Sequence, residues 1–288
     1  MKELVILSGK GGTGKTSLTA SLAVLAAPVV VADADVDAPD LHILLGPEVK
    51  SKREFRAGFD VSIRHDDCTE CGRCIELCRF DAINRDYDVD MAACEGCGVC
   101  VDLCPVGAVD MREKAAGEWY LSDTRVGPMA HALLSPGEEN SGKLVAVVRK
   151  AGQTLAHRDK MPLVLVDGPP GVGCPVISAL SGASAALIVA EPTPTGLQGF
   201  SRAADLARHF GVPAWAAVNK YDLSPENTAL IEREAAERDM PLVGRIPYDR
   251  AVTAAQRERR AVVEYDGAGS GGAAPAIREV WEKINTLL

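Results

Sequence analysis

Short, mostly apolar runs recur along the chain and are separated by segments long enough to form a helix. Runs of this kind are typical of strands that are buried on both faces of a parallel sheet. Strands that alternate with helices predict an α/β fold, with a mostly parallel sheet covered by helices on both faces. A first helix is expected at residues 15–26. The runs that we interpret as strands occupy residues 3–8, 29–33, 163–167, 185–190, 213–218 and 242–246.

This alternation stops after Leu45-Gly46. Residues 48–67 are polar and charged with only short apolar alternations, and a cysteine-rich stretch follows them. Helical and strand patterns resume near Leu144. We therefore predict one α/β domain formed by residues 1–59 and 114–288, with a small second domain inserted at residues 60–113.

The end of the chain has a glycine-rich stretch, Gly267–Gly272, which predicts a flexible connection to a last helix. One face of that helix is apolar. Such a face could bind a membrane surface or pack on the core. The helix lacks the polar face rich in lysine and arginine that membrane-binding helices carry, so we expect packing on the core. The apolar face consists of Ile277, Val280, Trp281, Ile284 and Leu288.

The composition narrows the range of partners. The formal net charge is −9, which argues against broad nucleic-acid binding because that requires a basic surface. No apolar run approaches the length of a membrane span, and the N-terminus has no signal-peptide pattern, so we expect a cytoplasmic protein without a membrane partner. Eight of the nine cysteines lie between residues 68 and 104, which points to a local site rather than to scattered disulfides.

A glycine-rich loop follows the first predicted strand and fits the phosphate-binding pattern G-x-x-x-x-G-K-[ST] in its strand–loop–helix context. Its four glycines allow backbone N–H groups to turn towards a phosphate, and the next helix N-terminus adds positive partial charge. Lys15 would contact the β- and γ-phosphates, and Thr16 would bind Mg²⁺. The alternative is a glycine-rich turn that matches by chance. The residues expected to bind ATP or ADP here are Gly11, Gly12, Thr13, Gly14, Lys15, Thr16 and Ser17.

The cysteines form two copies of the pattern C-x-x-C-x-x-C-x-x-x-C, repeated after 26 residues. The spacing resembles that of bacterial two-cluster ferredoxins, in which the fourth cysteine of each run binds the other cluster. A structural zinc site is the alternative. Zinc binding would leave the third and fourth cysteine of each repeat unexplained, because it does not require them. One departure is Arg79, which stands where the second repeat has Pro105. The resemblance implies two [4Fe–4S] clusters, one on Cys68, Cys71, Cys74 and Cys104, the other on Cys94, Cys97, Cys100 and Cys78.

A second lysine, Lys10, directly follows the first glycine of the phosphate loop. This loop resembles the deviant Walker A loop of the MinD/ParA/Mrp/nitrogenase-iron-protein group of ATPases. With the cysteine repeats, nearly the whole chain resembles P-loop ATPases of the MinD type that carry an inserted ferredoxin-like α+β domain. The resemblance implies a nucleotide-dependent homodimer in which Lys10 reaches the partner's nucleotide, much as an arginine finger does. The other possibility for Lys10 is an exposed loop lysine without a role.

The same resemblance assigns roles to two aspartates. Asp35 corresponds to the switch I aspartate that orients the attacking water, and Asp167 corresponds to the Walker B aspartate near Mg²⁺. Asp33 and Asp37 are less specific, because an aspartate at a strand end is often a helix cap. Residues 167–175 resemble switch II, which responds to the γ-phosphate. The catalytic residues implied are Lys10, Lys15, Asp35 and Asp167.

The resemblance also implies base recognition by Asn219 and Lys220 and by a later loop that includes Pro247 and Asp249. Read alone, Asn219-Lys220-Tyr221-Asp222 also fits the guanine pattern of GTPases, whereas the resemblance favours ATP. The ninth cysteine, Cys174, lies seven residues after Asp167 and resembles the switch II cysteine that binds the bridging cluster of the nitrogenase iron protein. A small buried hydrophobic residue is the ordinary role for such a cysteine.

Three functions remain open at this point. The first is an ATPase whose nucleotide state is coupled to electron transfer from its clusters to a redox partner. The second is a carrier ATPase of the Mrp type that delivers clusters or metal to an apo client protein. The third is a positioning ATPase with structural clusters. Slow ATP hydrolysis is common to all three.

Overall fold

The computed structural model describes residues 1–138, 142–265 and 272–288, so most of the glycine-rich stretch at 267–272 lies outside the described residues. The described residues divide into two compact units. One consists of Met1–Arg53 and Glu118–Leu288, and the other is Glu54–Gly117, which encloses the predicted insert of 60–113. The boundaries fall within two long strands, Glu48–Ile63 and Val109–Thr124.

Nine strands are present in the described part of the chain. In chain order they are β1 (Lys2–Ser8), β2 (Val30–Asp33), β3 (Glu48–Ile63), β4 (Val109–Thr124), β5 (Gly127–Leu134), β6 (Leu163–Pro170), β7 (Ala185–Ala190), β8 (Ala214–Asn219) and β9 (Leu242–Ile246). They form one sheet with the order β3-β4-β5-β2-β6-β1-β7-β8-β9. Pairing from β5 through to β9 is parallel throughout. The predicted α/β fold with a mostly parallel sheet is therefore confirmed.

Ten α-helices accompany these strands within the described ranges. They are α1 (Lys15–Ala26), α2 (Leu41–Leu45), α3 (Arg73–Leu77), α4 (Val99–Asp102), α5 (Lys143–Arg158), α6 (Cys174–Leu180), α7 (Pro194–His209), α8 (Pro225–Glu237), α9 (Arg250–Arg257) and α10 (Ala273–Leu287). Consecutive residues of β1 such as Leu4 and Val5, which point to opposite faces of the sheet, are both fully buried, so both faces are covered. Helix α1 contacts α10, and α5 contacts β2 and β5.

The last helix packs on the core, as the sequence predicts. Ile277, Val280 and Ile284 of α10 are buried in the same apolar cluster as Leu4 and Ile6 of β1. Trp281 and Leu288 are partly buried against that cluster. The apolar face of α10 is therefore covered by the chain's own sheet and helix α1.

The sequence pattern missed β3, β4 and β5. Most residues of β3 are exposed, with Phe55, Val61 and Ile63 the buried ones. A strand with so little buried surface carries only a weak alternation, which explains why no strand is predicted within residues 48–67. Strand β5 follows β4 after only two residues, so no helix-length segment marked it as a separate element.

A buried ion pair joins β1 to α5 and α6. Glu3 and Arg149 are 3% and 6% exposed, and two N–H groups of the guanidinium donate to the two carboxylate oxygens over 2.8 and 2.9 Å. The two N–H groups of Nη1 donate to the carbonyl oxygens of Ser178 and Ser181 at the end of α6. Arg149 therefore ties α6, the helix after the predicted switch II loop, to the central strand.

Replacing Arg149 by alanine should lower the free energy of unfolding by about 3–5 kcal/mol, because it leaves the Glu3 carboxylate buried and unpaired. The matched control is Arg158→Ala on the same helix, whose partner Asp159 pairs at the surface and which should cost about 0–1 kcal/mol. Urea denaturation of both variants measures the difference. Equal, small losses for the two variants would contradict a structural role for the buried pair.

Candidate nucleotide and cysteine sites

The phosphate loop connects β1 to α1 and has the backbone that its glycines permit. Gly12 and Gly14 have positive φ values of 78° and 87°, and α1 begins directly after Gly14. Gly9 lies against Gly199 of α7, and a Cβ atom added to Gly199 would come within 2.9 Å of backbone atoms of Gly9. The loop is thus shaped by close backbone contact as well as by its own sequence.

Lys15, Thr16, Asp35 and Asp167 meet at the foot of this loop, as the sequence interpretation requires. The Lys15 ammonium lies 3.0 Å from Asp167 Oδ1 and 3.2 Å from Asp35 Oδ2. The Thr16 hydroxyl donates to Asp167 Oδ2 over 2.8 Å. Asp167 is fully buried and Lys15 is 5% exposed, so these groups interact with little screening by water.

Charge and burial oppose each other at this cluster. Burial raises the pKa of Asp35, and the nearby Lys15 only partly offsets the effect. Burial lowers the pKa of Lys15, but the carboxylates of Asp167 and Asp35 outweigh it and leave the pKa raised. Burial and the Asp167 charge together raise the pKa of Asp33 well above its usual range. A divalent cation would relieve this crowding, and carboxylate and hydroxyl oxygens are the ligands that Mg²⁺ takes.

Two of the neighbouring aspartates have other surroundings. The carboxylate of Asp33 accepts hydrogen bonds from the backbone N–H groups of Asp35 and Leu41, so it holds the turn between β2 and α2. Asp37 is exposed at the mouth of the cavity. Asp33 therefore has the structural role that the sequence left open.

Two cavities adjoin the loop. One, of about 430 Å³, is lined by residues 11–17 together with Asp35 and Asp37. The other, of about 240 Å³, is lined by Asn219, Lys220, Pro247 and Asp249 with the tip of the loop. Gly12, Gly14, Ser17 and Gln256 line both, so the two cavities are neighbours. The arrangement offers a phosphate compartment beside a less polar compartment that can hold a base.

The base compartment is tied directly to the phosphate loop. Asn219 donates through its side-chain amide to the carbonyl oxygen of Thr13 over 2.6 Å. Lys220 has a positive φ of 57° and donates to the carbonyl oxygen of Gly12 over 3.1 Å. Both oxygens of Asp249 accept backbone hydrogen bonds, from Ala251 and Ala273, so its carboxylate positions two helices beside the cavity.

Lys10 lies outside the phosphate compartment and pairs with Glu191. Its ammonium is 2.6 Å from Glu191 Oε2 and donates to the Thr193 hydroxyl over 3.0 Å. Lys220 pairs with the other oxygen of the same carboxylate over 2.8 Å. The structure therefore gives Lys10 defined partners within its own chain.

The cysteine repeats have matching backbone conformations. Gly72 and Gly98, which are 26 residues apart, precede the short helices α3 and α4 with φ/ψ of 77°/−8° and 79°/−6°. The fourth cysteine of each repeat accepts a backbone hydrogen bond at an equivalent place. Ala82 donates to Cys78 Sγ over 3.4 Å, and Ala108 donates to Cys104 Sγ over 3.2 Å. The internal repeat of the sequence is thus a repeat of structure.

The thiols within each repeat lie close enough to influence one another. Burial raises the pKa of Cys74, with smaller contributions from Cys68 and Cys71. Burial likewise raises the pKa of Cys100, with smaller contributions from Cys94 and Cys97.

The repeats also share an apolar core. Six of the eight cysteines, all except the exposed Cys71 and Cys97, pack against a cluster of Val61, Ile63, Ile83 and Val109. Even so, among the described residues no three His, Cys, Asp or Glu side chains converge tightly enough to hold one metal ion. The ligand set for two clusters stays a prediction.

Cys174 stands apart from these groups. It is exposed and is the first residue of α6. The expectation of a small buried hydrophobic residue is wrong at this position, because the start of α6 faces solvent.

Sequence reasoning missed two polar residues of the candidate nucleotide site. The Thr19 hydroxyl donates to Asp167 Oδ1 over 2.8 Å, and Gln256 donates to the Ser17 hydroxyl over 2.8 Å. Thr19 could have been found, because it lies one helical turn after Lys15 on the same face. Gln256 is distant in sequence, and only the fold brings it to the loop.

Substituting Gly199 by alanine should weaken nucleotide binding about tenfold or more, because the new methyl group would push on the Gly9 backbone. Titration with a fluorescent ADP analogue measures the affinity, and circular dichroism checks that the variant is folded. Gln198→Ala, an exposed neighbour on α7, is the control and should bind as the unmodified protein does. A folded Gly199→Ala variant with unchanged affinity would contradict this role for the close contact.

No helix among the residues described here has both the length and the apolarity needed to cross a bilayer.

Among solved structures, the chain is similar to the cell division ATPase MinD of Pyrococcus furiosus, with a TM-score of 0.61, 21% identity and coverage of 100% and 99% of the two chains. It is similar to the same degree to the septum site-determining protein MinD of Pyrococcus horikoshii, solved with Mg-ADP (TM-score 0.61, 22% identity, coverage of 99% and 96%). At these identities the likeness establishes the fold.

Two curated proteins extend the comparison. The uncharacterised protein MJ0578 of Methanocaldococcus jannaschii is 35% identical over 230 residues, which cover 78% of this chain and 80% of that protein. An iron-sulfur cluster carrier protein of Pyrococcus abyssi is 25% identical over 303 residues, covering 98% of this chain and 85% of the carrier. Residues 4–262 match the family described as CbiA, the CobQ/CobB/MinD/ParA nucleotide binding domain. The chain therefore belongs to the CobQ/CobB/MinD/ParA family of nucleotide-binding domains.

Proposed function

We propose that this protein is a magnesium-dependent ATPase that holds two [4Fe–4S] clusters and couples its nucleotide state to electron transfer. The observation that carries the ATPase part is the buried contact of Lys15 and Thr16 with Asp35 and Asp167 beneath two adjoining cavities. Family membership supports nucleotide binding at this place. The cluster and electron-transfer parts rest on the cysteine repeats.

In this proposal the nucleotide occupies both cavities. The phosphates lie along residues 11–17, where Lys15 neutralises their charge as it leaves its pairs with the two aspartates. Mg²⁺ would be held by Thr16 and Asp167, and Asp35 would orient the attacking water. Lys15, Thr16 and Asp35 line the phosphate compartment, and the buried Asp167 accepts a hydrogen bond from the Thr16 hydroxyl over 2.8 Å.

ATP is favoured over GTP by the position of Asp222. In the guanine pattern this carboxylate would bind the base. Here Asp222 Oδ1 accepts the backbone N–H of Tyr248 over 2.7 Å, and Asp222 does not line the cavity. The carboxylate thus supports the loop around the base compartment, while Asn219 and Lys220 border the compartment itself.

The eight cysteines of the repeats fit cluster binding in their spacing and in their hydrogen bonds. Backbone N–H groups that donate to sulfur, as at Cys78 and Cys104, are among the features that tune such clusters. One cluster would use Cys68, Cys71, Cys74 and Cys104, and the other Cys94, Cys97, Cys100 and Cys78. When bound, such clusters supply one-electron transfer at low potential.

A carrier function is the second candidate, and the P. abyssi relative favours it. The six cysteines packed against an apolar core favour clusters that stay bound over clusters that are transferred.

The proposal also includes a homodimer that forms with ATP, in which Lys10 contacts the partner's nucleotide. A redox partner, or an apo client for the carrier function, would be a separate protein.

Lys15→Ala should reduce ATP hydrolysis about 100-fold or more, because it removes the charge that faces the phosphates. Phosphate release in the presence of Mg²⁺ measures the rate. Lys150→Ala, an exposed lysine on α5, is the control and should hydrolyse ATP normally. If Lys15→Ala retains the full rate, the assignment of this loop to catalysis fails.

Anaerobically purified protein should contain about eight iron and about eight acid-labile sulfide atoms per chain. Replacing Cys71 or Cys97 by serine should lower each count towards about four, since each substitution removes a ligand of one cluster. Cys174→Ser should leave both counts unchanged, because Cys174 lies outside the repeats. Zinc in place of iron, or an unchanged count after the Cys71 and Cys97 substitutions, would overturn the cluster assignment. If the protein transfers its iron to an apo ferredoxin, the result favours the carrier function.

A further inference from the structure

Glu191 is the meeting point of two lysines that the proposed function treats separately. Its carboxylate follows β7 and is 15% exposed. One oxygen pairs with Lys10 of the phosphate loop, and the other pairs with Lys220 of the base compartment. The attraction of the two lysines outweighs the effect of burial and leaves the pKa of Glu191 lowered. The carboxylate is thus charged and shared.

The contacts of Lys10 and Lys220 differ in what depends on them. Besides Glu191, Lys220 holds the carbonyl oxygen of Gly12, next to the carbonyl oxygen that Asn219 holds. Within the part of the chain that the structure describes, the Lys10 ammonium binds only Glu191 and the Thr193 hydroxyl. Thr193 also caps α7 by accepting the N–H of Gly196 over 3.0 Å, and that bond does not require Lys10. The Lys10 side chain can therefore leave without disturbing a helix cap or the loop carbonyls.

We propose that Glu191 positions Lys10 within its own chain before dimerisation and releases it when two nucleotide-bound chains associate. The inference rests on the proposed ATP-dependent dimer. In this proposal, Lys10 leaves its own Glu191 in order to reach a phosphate on the other chain. Because this happens in both chains, each association event breaks two Lys10–Glu191 pairs. Glu191 thereby sets how readily the dimer forms.

Lys220 lowers the free-energy cost of releasing Lys10 from Glu191. A half-buried carboxylate that loses its only partner is strongly destabilised. After Lys10 departs, Glu191 keeps its 2.8 Å contact with Lys220, so no uncompensated charge remains. One carboxylate between two lysines holds Lys10 firmly enough to orient it and weakly enough to release it.

Glu191→Gln should strengthen dimerisation. With a non-hydrolysable ATP analogue and Mg²⁺, the dimer dissociation constant from sedimentation velocity should fall about five- to twenty-five-fold, because two pairs no longer have to be broken. Glu191→Asp, whose shorter side chain retains the charge but draws back from Lys10, should shift it in the same direction by less. Glu237→Gln, at an exposed glutamate of α8, is the control and should have no effect.

The decisive comparison repeats the substitution in a Lys10→Ala background. There Glu191→Gln should no longer change the dissociation constant, whereas a general effect on folding or on Lys220 would persist. If the unmodified protein stays monomeric with the analogue, the proposed dimer fails and the inference fails with it. If the unmodified protein dimerises but Glu191→Gln and Glu191→Asp leave the constant unchanged or raise it, the dimer stands and the role of Glu191 is refuted.

Discussion

The nucleotide site depends on one contact, between the ammonium of Lys15 and the buried carboxylate of Asp167. It joins the first residue of α1 to β6, and the parallel sheet makes it possible. In the strand order β2-β6-β1, Asp33 of β2 lies in register with Asp167, and Ile6 of β1 lies on its other side. Parallel strands end at the same edge, so the acidic residues and the phosphate loop arrive at one place.

That edge concentrates opposing charges in a region with little water. Three aspartates and one lysine leave excess negative charge. Burial, with a smaller contribution from the neighbouring carboxylates, raises the pKa values of Asp33 and Asp35. A magnesium ion with a polyphosphate would supply the balancing cation and new partners for Lys15. The charge distribution is therefore suited to a ligand that brings both signs of charge together.

Much of the fold follows from the sequence, because buried strands and an amphipathic last helix leave strong patterns. Helix α1 was predicted at its observed bounds, and β7 and β9 likewise. Strand β3 escaped because its residues are largely exposed, and β4 because most of its residues are exposed or only half-buried, so neither strand is marked by an apolar run. The motif predicted Lys15 and Thr16, whereas Asp249 proved to be a helix cap beside the cavity. The pairing of Glu191 with Lys10 and Lys220 could not be foreseen, since it arises from the meeting of three loops that are distant in sequence.

The central claim is that nucleotide and clusters are coupled. The most direct test measures the reduction potential and the EPR spectrum of anaerobically purified protein, once with Mg-ADP and once with a non-hydrolysable ATP analogue. The account predicts that the potential or the EPR spectrum differs between the two nucleotides. Identical potentials and spectra in both would contradict the coupling and leave the clusters indifferent to the ATPase.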